Sequence, residues 1–329
     1  MRRPYSSKSM VWLISLILAI LIPPIFGGYL KTILTLVCIW IIMGISLNLI
    51  YGYTGLLSLA HSAFFGIGAY SFALLTGRLE VTYWLAFFLS IIIVAVSAFL
   101  IGIPSLRLRG PYFILVSLSF AIIVHLIILS WDRVTGGANG IPNIPRPPKI
   151  DLPFGMALGF DSLLSMYYLI LIFLVAIALI NYRLVNSLIG KSFIAISLNE
   201  DLSESLGINT MRSKLLSFII SSTFAAVAGI LFASYNSVIS PHIAHFTQGF
   251  NALVYVVIGG LATIAGPFIG SLVLVAIPEF LQVVPELKTL IYGVVLVVFV
   301  IFMPSGIAGG FKLQIPTLAG LTRRLKKAS

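Results

Sequence analysis

The chain has 329 residues, of which 60% are hydrophobic and 9% charged, and its mean hydropathy is +1.13. Soluble domains carry about 25% charged residues, so no water-soluble fold of this length covers such a chain with polar surface, and the composition defines an integral membrane protein. The net charge of +11 does not point to nucleic acid, because the basic residues form no patch and sit at the ends of apolar runs, where they orient spans in a bilayer.

A bilayer span takes about 20 apolar residues. In chain order the spans fall near residues 10–28, 32–51, 55–76, 83–104, 111–130, 163–182, 215–238, 264–283 and 288–304. A tenth segment, 250–262, is shorter and reads as a broken or re-entrant helix. The first run imitates a signal peptide, but no small-x-small site follows it and more spans come after, so it reads as an uncleaved first helix. The only cysteine, Cys38, lies inside an apolar run, which excludes a disulfide framework and makes it a small packing residue.

Charge fixes the expected orientation. With ten crossings and the N-terminus inside, the cytoplasmic segments hold Arg2, Arg3, Lys8, Arg107, Arg109, Arg183, Lys191, Arg212, Lys214, Lys312, Arg323, Arg324, Lys326 and Lys327, fourteen of the twenty basic residues. Lys31, Arg78, Arg133, Arg146, Lys149 and Lys288 fall outside. That asymmetry places both termini in the cytoplasm. The expected fold class is an all-α polytopic membrane protein of about ten transmembrane helices, one of them short or broken.

Two polar segments interrupt the spans. The external one, 131–162, is rich in proline and glycine; the cytoplasmic one, 183–214, is amphipathic. In the latter, Ile194, Leu198, Leu202 and Leu206 repeat at i+4 and lead to Gly207, a C-cap signal for a short helix. Three acidic residues, Glu200, Asp201 and Glu204, crowd into the same stretch. A charge cluster of this kind is usually a solvated helix face, yet leucines on the opposite face of a helix outside the membrane must pack on something.

Enzymatic signatures fail. Gly190-Lys191-Ser192 imitates the end of a phosphate-binding loop, but the required glycine five residues earlier is Val185 and no strand precedes it. Among His61, His125, His242 and His245, only the last two are close, with no cysteine or carboxylate nearby, so no metal site is expected. No catalytic residue is expected either.

The stretch Gly52–Tyr70, G-Y-T-G-L-L-S-L-A-H-S-A-F-F-G-I-G-A-Y, carries four glycines inside apolar sequence. Small residues let helices approach closely in lipid, as Ser217, Ser221, Ala225, Gly229 and Ala233 do at every fourth position of one span. Gly66 and Gly68, two apart, share no helix face. Unwound backbone beside a cavity fits better, since irregular backbone at membrane depth survives only where protein or water satisfies it. A second Gly-rich segment, residues 259–267, echoes the first as a short internal repeat. The expected translocation path therefore comprises Gly52, Gly55, Ser58, His61, Gly66 and Gly68 with Gly259, Gly260 and Gly266.

Four blocks, residues 52–70, 106–120 with 135–141, 190–209 and 257–270, resemble the permease subunits of branched-chain amino acid ABC importers, and L-R-L-R-G-P-Y-F at 106–113 favours the LivM type over the LivH type. The resemblance implies a single transmembrane permease domain over 1–329 with a basic cytoplasmic tail at 305–329, in a prokaryotic cytoplasmic membrane. It implies as partners a LivH-type permease, two cytoplasmic ATPases and an extracytoplasmic solute-binding protein, with ATP and magnesium held by the ATPases and no cofactor on this chain. It also implies that Gly190, Leu198, Glu200, Asp201, Leu202, Glu204, Leu206 and Gly207 belong to the ATPase-coupling loop. One departure is that the family's Arg-Glu-Asp run reads Asn199-Glu200-Asp201 here. Sister families import urea, short amides or other small solutes. A secondary transporter or channel would call for a carboxylate deep in a span, and Glu279 lies near a span end.

Overall fold

In a computed structural model, the structure describes residues 17–24, 27–152, 156–280, 293, 306 and 307. The expected last span, 288–304, and the basic tail lie almost wholly outside the described residues, as does the start of the first span, of which residues 17–24 are helical. That segment is pinned by α5 (Leu163–Asn186), whose Tyr167 and Tyr168 hydroxyls donate to the carbonyls of Ala19 and Ile20.

Among the described residues the regular structure is helical apart from one small hairpin. In chain order, α1 is Gly28–Leu47, continued by a π-helical turn, Asn48–Tyr53. Then come α2 (His61–Gly77), α3 (Tyr83–Ser105), α4 (Pro111–Ser130) and α5. The segment 183–214 folds into α6 (Leu188–Leu198) and α7 (Glu200–Ser205). The long α8 (Thr210–Asn236) follows, then α9 (Phe246–Gly259) and α10 (Gly266–Phe280). Five of these helical stretches are long and apolar enough to cross a membrane: α1 with its π-turn, α3, α4, α5 and α8.

Apolarity alone does not say which helices face lipid, but burial does. Within their most apolar windows, 83% of α1 and 67% of α8 are buried inside the protein, against 33% of α3 and 28% of α4. The inner pair is built from small residues. Ser217, Ser221, Ala225, Gly229 and Ala233 of α8 are all buried, and a Cβ on Gly229 would collide with the Phe65 carbonyl of α2. Without a hydrophobic drive between helices in lipid, such close approach is what holds them together. The outer helices expose Leu85, Phe88, Ile92, Leu115 and Ile123, as lipid contact requires.

Glycines and pairing shape the described part of segment 131–162. Ile141 bridges Ile239 in antiparallel fashion, and Gly140, at φ +69°, lies so close to the Ile239 carbonyl that any side chain would clash. A three-residue antiparallel hairpin, β1 (Ile150–Leu152) with β2 (Met156–Leu158), closes the segment.

Candidate functional site

The Gly-rich stretch divides into a broken part and a helical part. α1 ends in the rare π form, which recurs at functional positions, and the chain stays non-helical until His61. Gly55 turns it at φ +78°, a backbone that a side chain rarely tolerates. The break thus includes Gly52, Gly55 and Ser58 and ends at His61, while Gly66 and Gly68 lie inside regular α2. Their role there is contact on two different sides: a Cβ on Gly66 would strike Ala244, and one on Gly68 would lie 2.8 Å from the Ala226 backbone of α8. The unwinding expected at Gly66 and Gly68 is therefore absent, because glycine is needed there for packing on opposite neighbours.

Neighbouring side chains satisfy the first break. Thr54 Oγ1 donates to the Leu49 carbonyl, so the Ser217 hydroxyl of α8 donates to Thr54 at 2.6 Å. Ser117 of α4 accepts from the Leu59 N–H at 3.1 Å, and Ser58 from the Ala60 N–H. His61 is buried with Nε2 3.2 Å from Ser221 Oγ. Ser221 donates its own proton to the Phe218 carbonyl, which assigns the Nε2–H tautomer to His61. Nδ1 is then a buried acceptor with no partner among the described residues.

The second break, between α9 and α10, comprises residues 260–265. Gly259 and Gly266 are in backbone contact too close for any Cβ, which lets the two helices meet. Gly260 closes α9 at φ +119°, and Gly306 packs on it. Thr263 Oγ1 donates to the Gly260 carbonyl at 2.7 Å and accepts from the Gly266 N–H at 3.0 Å.

One side chain joins the two breaks. Asn48, fully buried, donates from Nδ2 to the Thr263 carbonyl at 2.8 Å and accepts at Oδ1 from the Ala262 N–H at 2.9 Å. A Cβ on Gly52 would lie 2.6 Å from Ala262 N and collide with that same Oδ1, so Gly52 clears the space in which the clamp forms. Asn48 is not visible as a site residue in the sequence. Its signal there is a lone amide in an apolar run, and its partner lies in the other half of the chain.

The segment 183–214 sits against this region, with Ser197 of α6 in contact with Gly55, 3.0 Å from where its Cβ would be. The expected single helix is two. Asn199 leaves the helical region at φ −161° and its side chain caps α7 by accepting from the Leu202 N–H at 2.9 Å, the N-cap preference of asparagine overriding the leucine repeat. Gly190 follows the Ser187 cap of α6, pressed against the Leu184 and Val185 carbonyls. Gly207, at φ +88°, ends α7 in a Schellman motif: its N–H reaches the Glu204 carbonyl and that of Ile208 reaches Ser203.

Leucines and acids of this segment point differently. Leu198, Leu202 and Leu206 are 82%, 57% and 74% exposed. Glu200 pairs inward with Lys214 of α8, and Asp201 pairs with Arg109 at 3.1 Å. Two of the three acids are thus occupied by the chain itself.

At the far side, between α8 and α9, His125 of α4 packs edge-on to His245 at 4.9 Å between ring centroids, and His242 stacks on His245 at 5.7 Å. The Nδ1–H of His125 donates to the Pro241 carbonyl at 3.0 Å. Burial first, then the neighbouring His125 and His242 charges, hold the pKa of His245 below the ordinary 6.5.

Comparison with known proteins matches residues 29–300 to the family described as branched-chain amino acid transport system / permease component. The chain is 33% identical over 318 residues to the high-affinity branched-chain amino acid transport system permease protein LivM of Escherichia coli K12, covering 91% of this chain and 75% of that protein. It is 30% identical over 293 residues to the corresponding protein LivH of Salmonella typhimurium, covering 84% of this chain and 92% of that one. To BraD of Pseudomonas aeruginosa it is 26% identical over 298 residues, 84% and 93% of the two chains. No solved structure matches the chain.

Proposed function

This chain belongs to the family of permease components of branched-chain amino acid transport systems and has the permease role in an ABC importer, and we propose that its cargo is branched-chain and other hydrophobic amino acids. The whole chain, 1–329, acts as a single permease domain in a prokaryotic cytoplasmic membrane. It works beside a LivH-type permease, above two ATPases that hold ATP and magnesium, and below a solute-binding protein. Relatives of both permease types support the paired arrangement.

In this reading ten crossings leave both termini in the cytoplasm. The Arg109–Asp201 pair supports that topology, since it requires the α3–α4 turn and segment 183–214 to share one side. The Ile141–Ile239 bridge likewise puts the 131–162 segment beside the α8–α9 connection. The two breaks, with Gly52, Gly55, Ser58 and His61 facing Gly259, Gly260 and Gly266, border the path taken by the solute. Labelling of cysteines placed in the tail tests the topology, and an external tail rejects it.

One observation carries the coupling role of α6 and α7: three leucines stand exposed on a short capped segment while two of its acids are turned onto the chain's own cations. A face of that kind matches helix-in-groove recognition, in which apolar anchors carry affinity. Leu202→Asp should release the ATPase on co-purification and abolish uptake, whereas neutralising exposed Glu204 should reduce uptake only modestly. Full ATPase retention in Leu202→Asp rejects the docking role.

A further inference from the structure

We infer that the Glu200–Lys214 ion pair is the rigid link through which displacement of α7 moves α8 and, with α8, the first break. The inference rests on the proposed docking of α6 and α7 on the ATPase and adds what happens beyond that contact.

The two ion pairs of the segment differ in kind. Arg109 and Asp201 are 65% and 76% exposed, whereas the Lys214 side chain is 4% exposed and that of Glu200 27%. An exposed pair is screened and holds little. A buried lysine is kept only when paired, and a packed neutral pair would serve stability equally well. A retained buried pair therefore points to registry between two elements.

Its position suits that role. Glu200 is the first residue of α7, set immediately after the Asn199 cap, and the Schellman turn at Gly207 closes the other end. The remaining surface of α7 is open apart from buried Ser203. Lys214 lies in the second turn of α8, and Ser217 and Ser221 follow it at i+3 and i+7 on the same face. Ser217 holds Thr54, and Ser221 accepts from His61 and, through its carbonyl, from the Ser46 hydroxyl at 2.7 Å. One turn beyond, Ala226 and Gly229 lie against the backbone of Gly68 and Phe65 with no room for slack. A shift at Glu200 thus reaches residues 46, 54 and 61 through charge, hydrogen bonds and backbone contact, by way of the buried Lys214, Ser217 and Ser221 side chains.

The test uses the assembled transporter in proteoliposomes, reading leucine imported per ATP hydrolysed together with ATPase co-purification. In E200Q/K214M, a neutral pair of similar size, the ATPase stays bound while leucine per ATP falls about fivefold or more. E200D keeps the charge but withdraws it by one methylene, and the ratio falls about twofold; it decides the matter if the double variant does not accumulate. An unchanged ratio in the variants reduces the pair to a structural staple and overturns the inference. Loss of the ATPase from E200Q/K214M also overturns it, since the pair would then shape the docking surface instead of acting beyond it. Failure of the docking reading is separate: Leu202→Asp retaining its ATPase would show it, whatever the pair variants do.

Discussion

The two breaks meet the same physical demand in different ways. Backbone that leaves a helix inside apolar surroundings must find hydrogen-bond partners. Residues 54–61 lean on other helices: Ser217 and Ser221 of α8 hold the Thr54 and His61 side chains and Ser117 of α4 accepts from the Leu59 N–H, while the Gly55 and Leu56 N–H groups return to the Tyr51 and Ile50 carbonyls. Residues 260–266 hold themselves by the two-way bond of Thr263 and by glycine backbones in contact, and from outside take Asn48, which accepts from the Ala262 N–H and donates to the Thr263 carbonyl. The first is wired to α8 and α4, whereas the second is braced by its own turn and tied outward through Asn48. Asn48 bonds across the gap between them.

Substituting the second break should have the largest effect. Gly259→Leu drives a side chain into the Gly266 backbone, where nothing can yield, and should cost more than about 4 kcal/mol. Loss of the monodisperse folded protein in detergent is the expected result, and a near-normal melting temperature would show that the turn is softer than its contacts imply. Asn48→Leu comes next. It strands the Ala262 N–H and the Thr263 carbonyl at about 1–3 kcal/mol each, so the protein should accumulate but melt earlier and transport poorly.

Ser217→Ala is smaller still, about 0.5–1.5 kcal/mol, because Thr54 keeps its bond to Leu49. Combined with Thr54→Val in a double-mutant cycle, it should show coupling. Additivity would mean that the first break is not tied to α8 and that the contrast between the breaks is overstated.

The smallest effect arises outside both breaks, at the histidine cluster. His245 has its pKa lowered from 6.5, so below that value the unfolded chain binds more protons than the folded one and stability rises with pH. Its contribution should be lost progressively as the pH falls below about 6.5. Melting measured against pH, with and without His245→Gln, should show a weaker acid dependence in the variant.

Much of this was legible in the sequence, and the remainder follows a pattern. Five of the spans were readable because length and apolarity decide them; α4 runs over residues 111–130, as expected, with Gly110 and Pro111 marking its start. The small-residue stripe of α8 and the cap at Gly207 were readable because both are local. The division of α6 from α7 was not, because the leucine repeat runs unbroken across Asn199 and only the cap geometry reveals that its amide stops the helix. The approach of His125 to the histidine pair and the clamp of Asn48 depend on residues far away in the chain, and the inward turn of Glu200 on a lysine in the next helix. In each case the sequence showed a polar group without showing its partner.

The Asn48 clamp has a consequence for biosynthesis. Its donor and acceptor partners are the Ala262 amide and the Thr263 carbonyl, 214 and 215 positions later, so the primary amide of an early span enters the membrane before its partners exist. At about 5–20 residues per second of synthesis, Asn48 waits roughly 10–40 s with its hydrogen bonds met by water, lipid headgroups or the insertion machinery. The first half of the protein is thus provisional until the α9–α10 turn is made, and a ribosome stalled before residue 262 would present quality control with an exposed amide in an otherwise finished helix.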